Sequence, residues 1–447
     1  MIQFRSQASQ RYLVNTTWIV AEKVVRMAVA LFVAVYVARY LGPHGFGVLS
    51  FAMSFVGLFA VFATLGVDEI LVRNLVQEPD SFERLLGTAF TLRLVGAFAL
   101  FALVTLAVQF TSSDKTTKAL ALIIAGGTLF QSFNIIDFYF QSRVLARFTS
   151  FAQICTLFIG SAAKLSLIAA KASLIWFAWV TVFENATLAL LLVLMYRRQR
   201  LNVYAWRFDI RLSLALLRDA WPLMLAGAAI TVYMRIDQVM IKEMLDSEAV
   251  GNYAAAVRFS EACYFIPVAL CSSLFPAIIH ARSMGKEEYH DRLQKLCDLM
   301  IWLAVAIALP TTFLADWIIS FLLGAPYHST AGVLKIHVWA GVFVYLGVAS
   351  GKWFLAENLQ RYAFYRTLAG AIVNVFLNLI LIPSMGIKGA ALATVLSYFA
   401  AAYLSMAFFK PTKELFRLAT RSFNPIAATK RIFYAWNRQQ YPQRSSA

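Results

Sequence analysis

The sequence predicts an all-α polytopic membrane protein, with about 12 transmembrane helices in two six-helix lobes related by pseudo-twofold symmetry. Three observations carry that expectation. About a dozen apolar stretches each run near 20 residues, the length a helix needs to cross a hydrocarbon core of roughly 30 Å. Hydrophobic residues make up 60% of the chain and charged residues 14%, and the mean hydropathy is +0.68. A soluble domain averages about 45–50% apolar and 25% charged residues. Finally, lysine and arginine concentrate in alternate connections by roughly four to one, the asymmetry that orients membrane proteins.

In chain order the expected spans are 12–40, 46–67, 86–109, 118–140, 148–170 and 173–196, then 219–244, 252–278, 296–314, 331–354, 362–383 and 388–409. The first is too long for a signal core and has no small-residue cleavage site behind it, so it is read as a helix that stays. Tight connections at Gly42 to Gly45, at Lys171-Ala172 and at Ser384 to Ile387 make the spans on either side antiparallel neighbours. Pro267 removes a backbone hydrogen bond and is expected to kink span eight. Pro310 and the Trp317 to Leu323 run blur the end of span nine.

The basic 197–218 connection, with Arg197, Arg198, Arg200, Arg207, Arg211 and Arg218, divides the chain. The expected domains are an N-terminal lobe (1–210), a C-terminal lobe (211–410) and a basic cytoplasmic tail (411–447) with no apolar span. A faint repeat links the lobes. Leu41, Gly47, Ala52 and Phe55 align without gaps on Leu245, Gly251, Ala256 and Phe259, at the same turn of each half. Six spans per half bring both halves in from the same side, a parallel repeat about an axis along the membrane normal. The Lys/Arg bias places both termini in the cytoplasm.

The formal charge of +17 fits that bias together with anionic headgroups. Nucleic acid is excluded as a partner because no recognised module or aromatic-basic platform is present. Cys155, Cys263, Cys271 and Cys297 form no C-x-x-C pair and read as small buried hydrophobes. The five histidines have no metal spacing, no nucleotide loop or nucleophile motif stands out, and nothing asks for a cofactor or makes a case for an enzyme.

Charges inside the spans are the candidate functional residues, since each costs about 2.5–3.5 kcal/mol at mid-membrane and must be shielded from lipid. In span one, Asn15, Glu22 and Arg26 share a face, with Lys23 beside it. Span seven carries Thr231, Arg235, Gln238 and Lys242, with Asp237 alongside, and span eight carries Arg258 and Glu261. Arg93, Asp137, Lys164, Glu184 and Lys352 are further intramembrane charges, and Asn374 and Asn378 share a face of span eleven. Two readings stand. The charges pair and fix packing, for which Glu22–Arg26 and Arg258–Glu261 have helical spacing and Arg235–Asp237 does not. Alternatively, the cations Lys23, Arg26, Arg93, Lys164, Arg235, Arg258 and Lys352 line a water-filled cavity for an anionic headgroup. A proton or cation site at Glu22, Asp137, Glu184, Asp237 or Glu261 is compatible with either. The aromatic runs Phe138 to Phe140 and Tyr362 to Tyr365 read as an interfacial belt.

Several motifs resemble one family as a set. They are Ala38-Arg39-Tyr40-Leu41-Gly42-Pro43 with Phe46 to Ala52, then Leu65-Gly66-Val67-Asp68 and Val72-Arg73. Asn15 to Trp18 with Glu22-Lys23, Arg235-Ile236-Asp237-Gln238, Arg258-Phe259-Ser260-Glu261 and Gly386 to Ala390 complete the set. Together they resemble bacterial polysaccharide flippases, the O-antigen and capsule translocases of the multidrug/oligosaccharidyl-lipid/polysaccharide exporter superfamily. The resemblance covers nearly all of residues 10–409. It implies a V-shaped pair of lobes in the bacterial inner membrane. They would carry an undecaprenyl-diphosphate-linked oligosaccharide from the cytoplasmic to the periplasmic leaflet by alternating access. The implied partners are that lipid-linked glycan, the bilayer, a coupling proton or cation and other glycan-assembly proteins. Alternatives are a glycan polymerase or ligase using the same substrate, or a drug/cation antiporter of the same superfamily. A polymerase or ligase would be expected to have a large external loop, yet the longest external stretch expected here, about Ala315 to Ala331, is short.

Overall fold

The computed structural model describes residues 2–111, 114–357 and 359–431, and every regular element among them is helical. They fall into two compact units, Met1–Ala254 and Ala255–Ala447. Ten helices are long and apolar enough to cross a membrane, or eleven with one bent pair. The first of these contains a break at Gly42 and so holds two of the expected crossings. The all-α, two-lobe polytopic fold read from the sequence is the fold observed.

In the first unit, α1 (Ile2–Leu58) is two helices joined at Gly42, whose φ of 66° and ψ of 173° suit a residue without a Cβ. Pro43 follows at the start of the second helix, where its missing N–H costs nothing. The remaining helices are α2 (Ala60–Thr64), α3 (Asp68–Gln77), α4 (Phe82–Ala107), α5 (Lys115–Gly127), α6 (Ile135–Ser142), α7 (Ala146–Ala169), α8 (Leu174–Arg198), α9 (Ile210–Met244) and most of α10 (Ser247–Glu261). A 3-10 segment, Thr128–Asn134, joins α5 to α6, so expected span four is built in pieces. Tyr139 and Phe140, expected in an interfacial belt, are instead buried in the core with Leu71, Leu86, Leu192 and Tyr196.

Span seven begins nine residues earlier than expected. The Asp209 carboxylate caps α9, accepting from the backbone N–H groups of Arg211 (2.7 Å) and Leu212 (3.0 Å). Those donors, with Arg84 beside them, hold the Asp209 carboxyl below its ordinary range. The sequence reading missed this start because Arg211 and Arg218 look like a polar linker, yet a helix continues past the apolar layer at no backbone cost. The rest of the linker is strapped to α4: Arg207 N–H donates to Glu83 O at 3.2 Å, and Asp209 N–H to Thr88 Oγ1 at 3.1 Å.

The repeat seen in the sequence is also a contact. A Cβ added at Gly47 would lie 1.7 Å from Ser247 O, and one at Gly251 would lie 1.9 Å from Pro43 O. Positions 43 and 47 correspond to 247 and 251 in the ungapped alignment, so each turn presses its glycine against the other's carbonyl. That reciprocity is the mark of a twofold arrangement. From there α9 runs back along the second half of α1: Ser54 Oγ donates to Gln238 Oε1 at 2.9 Å, and Gly57 lies against Arg235. Leu216 and Ala220 then pack on Val67 and Ile70.

The second unit contains the end of α10, then α11 (Phe265–Met284), α12 (Lys286–Leu322), α13 (His328–His337), α14 (Ala340–Ala356), α15 (Gln360–Met385), α16 (Ile387–Phe399), α17 (Ser405–Phe408) and α18 (Lys413–Ser422). The end of span nine, blurred in the sequence by Pro310 and the Trp317 to Leu323 run, lies at Leu322, because Pro310 sits within an unbroken α12. Span eight is interrupted beside Pro267, as its missing N–H leads one to expect: a 3-10 turn at Ala262–Tyr264 precedes α11, and Cys263 O, four residues before the proline, accepts from Tyr345 instead. Span ten is bent by 44° between α13 and α14. The two breaks are tied together, with Ser260 Oγ 2.7 Å from His337 Nδ1 and Tyr345 OH donating to Cys263 O at 2.8 Å. All four cysteines are free; Cys271 and Cys297 are buried and the other two partly so. Trp436 and Tyr441 of the tail lie outside the described residues.

Candidate functional site

The first unit gathers one group of the expected charges around a half-exposed guanidinium. Glu22 and Arg26 stand one turn apart on α1, and Arg26 Nε donates to Glu22 Oε1 at 2.5 Å. The carboxylate is buried, with 6% of its side chain exposed, while Arg26 keeps 48% exposed. A second Arg26 nitrogen donates to Gln153 Oε1 on α7. Asp137 on α6, with Gln141 and Thr149 alongside, lies within electrostatic reach of both Glu22 and Arg26. Three helices thus converge two carboxylates and an amide on one cation, and Lys23 is exposed next to them. Guanidinium has five N–H donors in a planar fork, so Arg26 retains donors for an anionic oxygen. The side chain of Asn15 lies outside the described residues.

The other charges of this unit are spent differently. Arg93 on α4, its side chain only 5% exposed, donates to Asp68 Oδ1 at 2.9 Å and lies 5.5 Å from the centre of the Phe138 ring. Burial pushes the Asp68 carboxyl above its ordinary range, and Arg93 pulls it back only in part. Lys164 on α7 donates to Glu184 on α8 at 2.6 Å, each about a quarter exposed. Glu184 fits because residue 160 is glycine; a Cβ there would lie 2.1 Å from Glu184 Oε1. On α9, Asp237 is buried and accepts from Tyr253 OH at 2.7 Å, and Gln238 is taken by Ser54. Arg235 is exposed. The stripe read on span seven therefore separates into packing residues and one accessible cation.

In the second unit, Arg258 is exposed, near Tyr327, and Glu261 is partly buried. The Lys352 ammonium lies 5.6 Å from the centre of the Phe275 ring. Asn374 and Asn378 are buried, and Asn378 Nδ2 donates to Asn374 Oδ1 at 3.2 Å, a helix-packing role.

Three participants escaped the sequence reading. Asp68 lay in a quoted motif but was not matched to Arg93, and Gln153 carried no signal. Arg366, on α15, donates to Ser350 Oγ at 2.5 Å and to Gly347 O at 3.0 Å, with Phe354 beneath it; an arginine inside an expected span was itself the cue.

Comparison with known proteins agrees with this architecture. The family model described as "Polysaccharide biosynthesis protein" matches residues 12–282, and a second, MatE, matches 222–380. A curated relative, the probable low-salt glycan biosynthesis flippase Agl15 of Haloferax volcanii, is 26% identical over 170 residues, which is 37% of this chain and 35% of that protein. Among solved structures, an inward-facing multidrug resistance MATE family transporter of the MOP superfamily aligns with a TM-score of 0.70 and 13% identity, covering 94% of this chain and 96% of that one. The lipid II flippase MurJ, in an inward closed conformation, aligns with a TM-score of 0.68 and 16% identity, covering 94% and 98%. With more than half its length matched, this chain belongs to the polysaccharide biosynthesis protein family.

Proposed function

We propose that this protein is a flippase for a lipid-linked oligosaccharide, and that its cargo hangs from an undecaprenyl diphosphate carrier. The cargo would pass from the cytoplasmic to the periplasmic leaflet of a bacterial inner membrane by alternating access. An O-antigen or similar surface-glycan repeat unit is the cargo proposed. Both termini and the 197–218 segment face the cytoplasm in this reading, and the lobes divide near residue 210.

One observation carries the proposal: a guanidinium, Arg26, held half-exposed by Glu22 on α1 and Gln153 on α7, within helices long and apolar enough to cross a membrane. A diphosphate entering such a place must exchange water for charge-assisted hydrogen bonds, and a planar fork supplies them in pairs. Lys23 and Arg235 of the same unit are the further cations proposed to meet it, and Arg258 and Lys352 are the cations proposed for substrate binding in the second unit. Glu22 and Asp137, beside Arg26 and Lys23, are the carboxylates proposed to take a coupling proton or cation. The same carboxylates favour a second reading, a drug/cation antiporter, to which the MatE match over 222–380 also lends weight.

Reconstitution separates the two. Vesicles containing the protein and a fluorescent diphosphate-linked oligosaccharide should show leaflet exchange well above protein-free vesicles, whereas an organic cation should not be moved. Transport of the organic cation with no movement of the glycan lipid would overturn the proposal in favour of the antiporter.

A further inference from the structure

The segment after the last span is built into the second unit. Leu415, Leu418 and Ala419 of α18 are buried in the core that holds α12. Trp302 Nε1 donates to Ser422 O at 2.9 Å, and Gln294 Nε2 donates to Ser422 Oγ at 2.7 Å. Beyond the helix, Arg431 closes a two-pronged pair on the fully buried Asp298, at 2.7 and 2.9 Å. That carboxylate raises the Arg431 guanidinium further above its ordinary range.

This docking fixes what the helix shows to its surroundings. Lys413, Arg417 and Arg421 repeat every four residues along the face opposite Leu415 and Leu418. All three are exposed, as is Lys410 just before them. None has an acidic partner among the described residues. On the adjoining α12, by contrast, Arg292 pairs with Glu288 at 2.7 Å and Lys295 with Asp291, while Lys286 at its first residue is exposed like the ridge. The unpaired ridge begins two residues after Phe408, where the last crossing ends. Lys410 thus starts at the membrane surface, and the bond from Trp302, inside expected span nine, to Ser422 holds the Arg421 end of the ridge beside the same surface, where salt leaves charge unscreened over roughly 8–10 Å. Exposed Phe408, Phe423 and Ile426 flank it with apolar surface.

We propose that the ridge Lys410, Lys413, Arg417 and Arg421 is a binding surface for anionic phospholipid headgroups. Its partner is the bilayer lipid itself, not the transported glycan lipid. The rigid mount matters, because cations held in one row by α12 lose little freedom when a row of phosphates meets them.

The test uses the delipidated full-length protein, competing phosphatidylglycerol against phosphatidylcholine and counting bound lipids by native mass spectrometry. Wild type should prefer phosphatidylglycerol, and the preference should fall between about 50 and 300 mM salt as screening shortens. The triple variant K413Q/R417Q/R421Q should lose at least tenfold of it, at roughly fivefold per surface cation. The charge-keeping variant K413R/R417K/R421K should retain it. K115Q/K118Q/K171Q, which removes the same charge elsewhere, should stay within about twofold of wild type. An unchanged thermal midpoint in lipid-free detergent separates binding from folding. The proposal is overturned if the ridge variant keeps the wild-type preference, or if the distant variant loses as much.

Discussion

Arg93 and Arg26 are both arginines within apolar helices of the first unit, and the fold uses them in opposite ways. The Arg93 guanidinium is sealed between Asp68 and the Phe138 ring, although Asp68 itself keeps 35% of its side chain exposed. Arg26 is tethered by Glu22 and Gln153 yet leaves almost half its side chain open. Lys164 with Glu184 falls between them, about a quarter exposed. Intramembrane charge alone therefore does not mark a working residue; the exposure left after pairing does. A sealed pair should govern folding, and an open one should govern transport.

The sharpest break in that contrast would come from Arg93. Arg93→Ala leaves Asp68, whose side chain is 35% exposed, without its partner and should cost about 1–3 kcal/mol, less than for a fully buried pair because water reaches the carboxylate. Folded protein recovered in detergent should collapse accordingly, and Arg93→Leu with Asp68→Leu should recover part of it. An Arg93→Ala protein as abundant and heat-stable as wild type would remove the distinction.

A lesion of pure packing in the same unit provides the yardstick. Gly47→Ala and Gly251→Ala must each displace a backbone carbonyl, at about 1–3 kcal/mol for overpacking. Because both strain one reciprocal contact, the double variant should lose less than the sum of the singles in thermal unfolding. Strict additivity would mean the two turns do not share the contact. Lys164→Met leaves Glu184, about a quarter exposed, without its partner and should cost about 1–3 kcal/mol as well.

The smallest effect belongs to an exposed carboxylate. Backbone donors hold the Asp209 carboxyl below its ordinary range. Its contribution is therefore fully present above the unfolded-state value near pH 4 and is lost as pH falls through the lower folded value. Asp209→Asn should flatten that acid limb of the stability curve and leave neutral stability nearly unchanged, since asparagine also caps. An acid limb identical in the variant would deny the cap its role.

Much of the fold was legible because crossing a membrane demands long apolar runs, and breaks such as Gly42 announce themselves. Gly47 and Gly251 were readable as a repeat before they were seen to touch. Partners were not legible. Arg93 and Asp68 lie 25 residues apart and Arg26 and Gln153 lie 127 apart, and helical spacing reports a shared face without saying what faces it. Glu22 with Arg26, on one helix, was paired in advance by its spacing alone. The early start of α9 and the docked α18 were missed for a related reason: polar helix outside the membrane has no hydropathy signature, and Asp298 meets Arg431 across 133 residues.

Arg26 tests the central claim most directly. Arg26→Ala leaves the buried Glu22 carboxylate without its cation, at a cost of up to about 3–5 kcal/mol, so transport is read per folded protein. The measurement is leaflet exchange of a diphosphate-linked oligosaccharide in vesicles, divided by the amount of folded protein. The account predicts most of the exchange per folded protein lost in Arg26→Ala, and partial exchange in Arg26→Lys, which keeps the charge but not the fork. An Arg26→Ala protein that is abundant and exchanges lipid at the wild-type rate would contradict it.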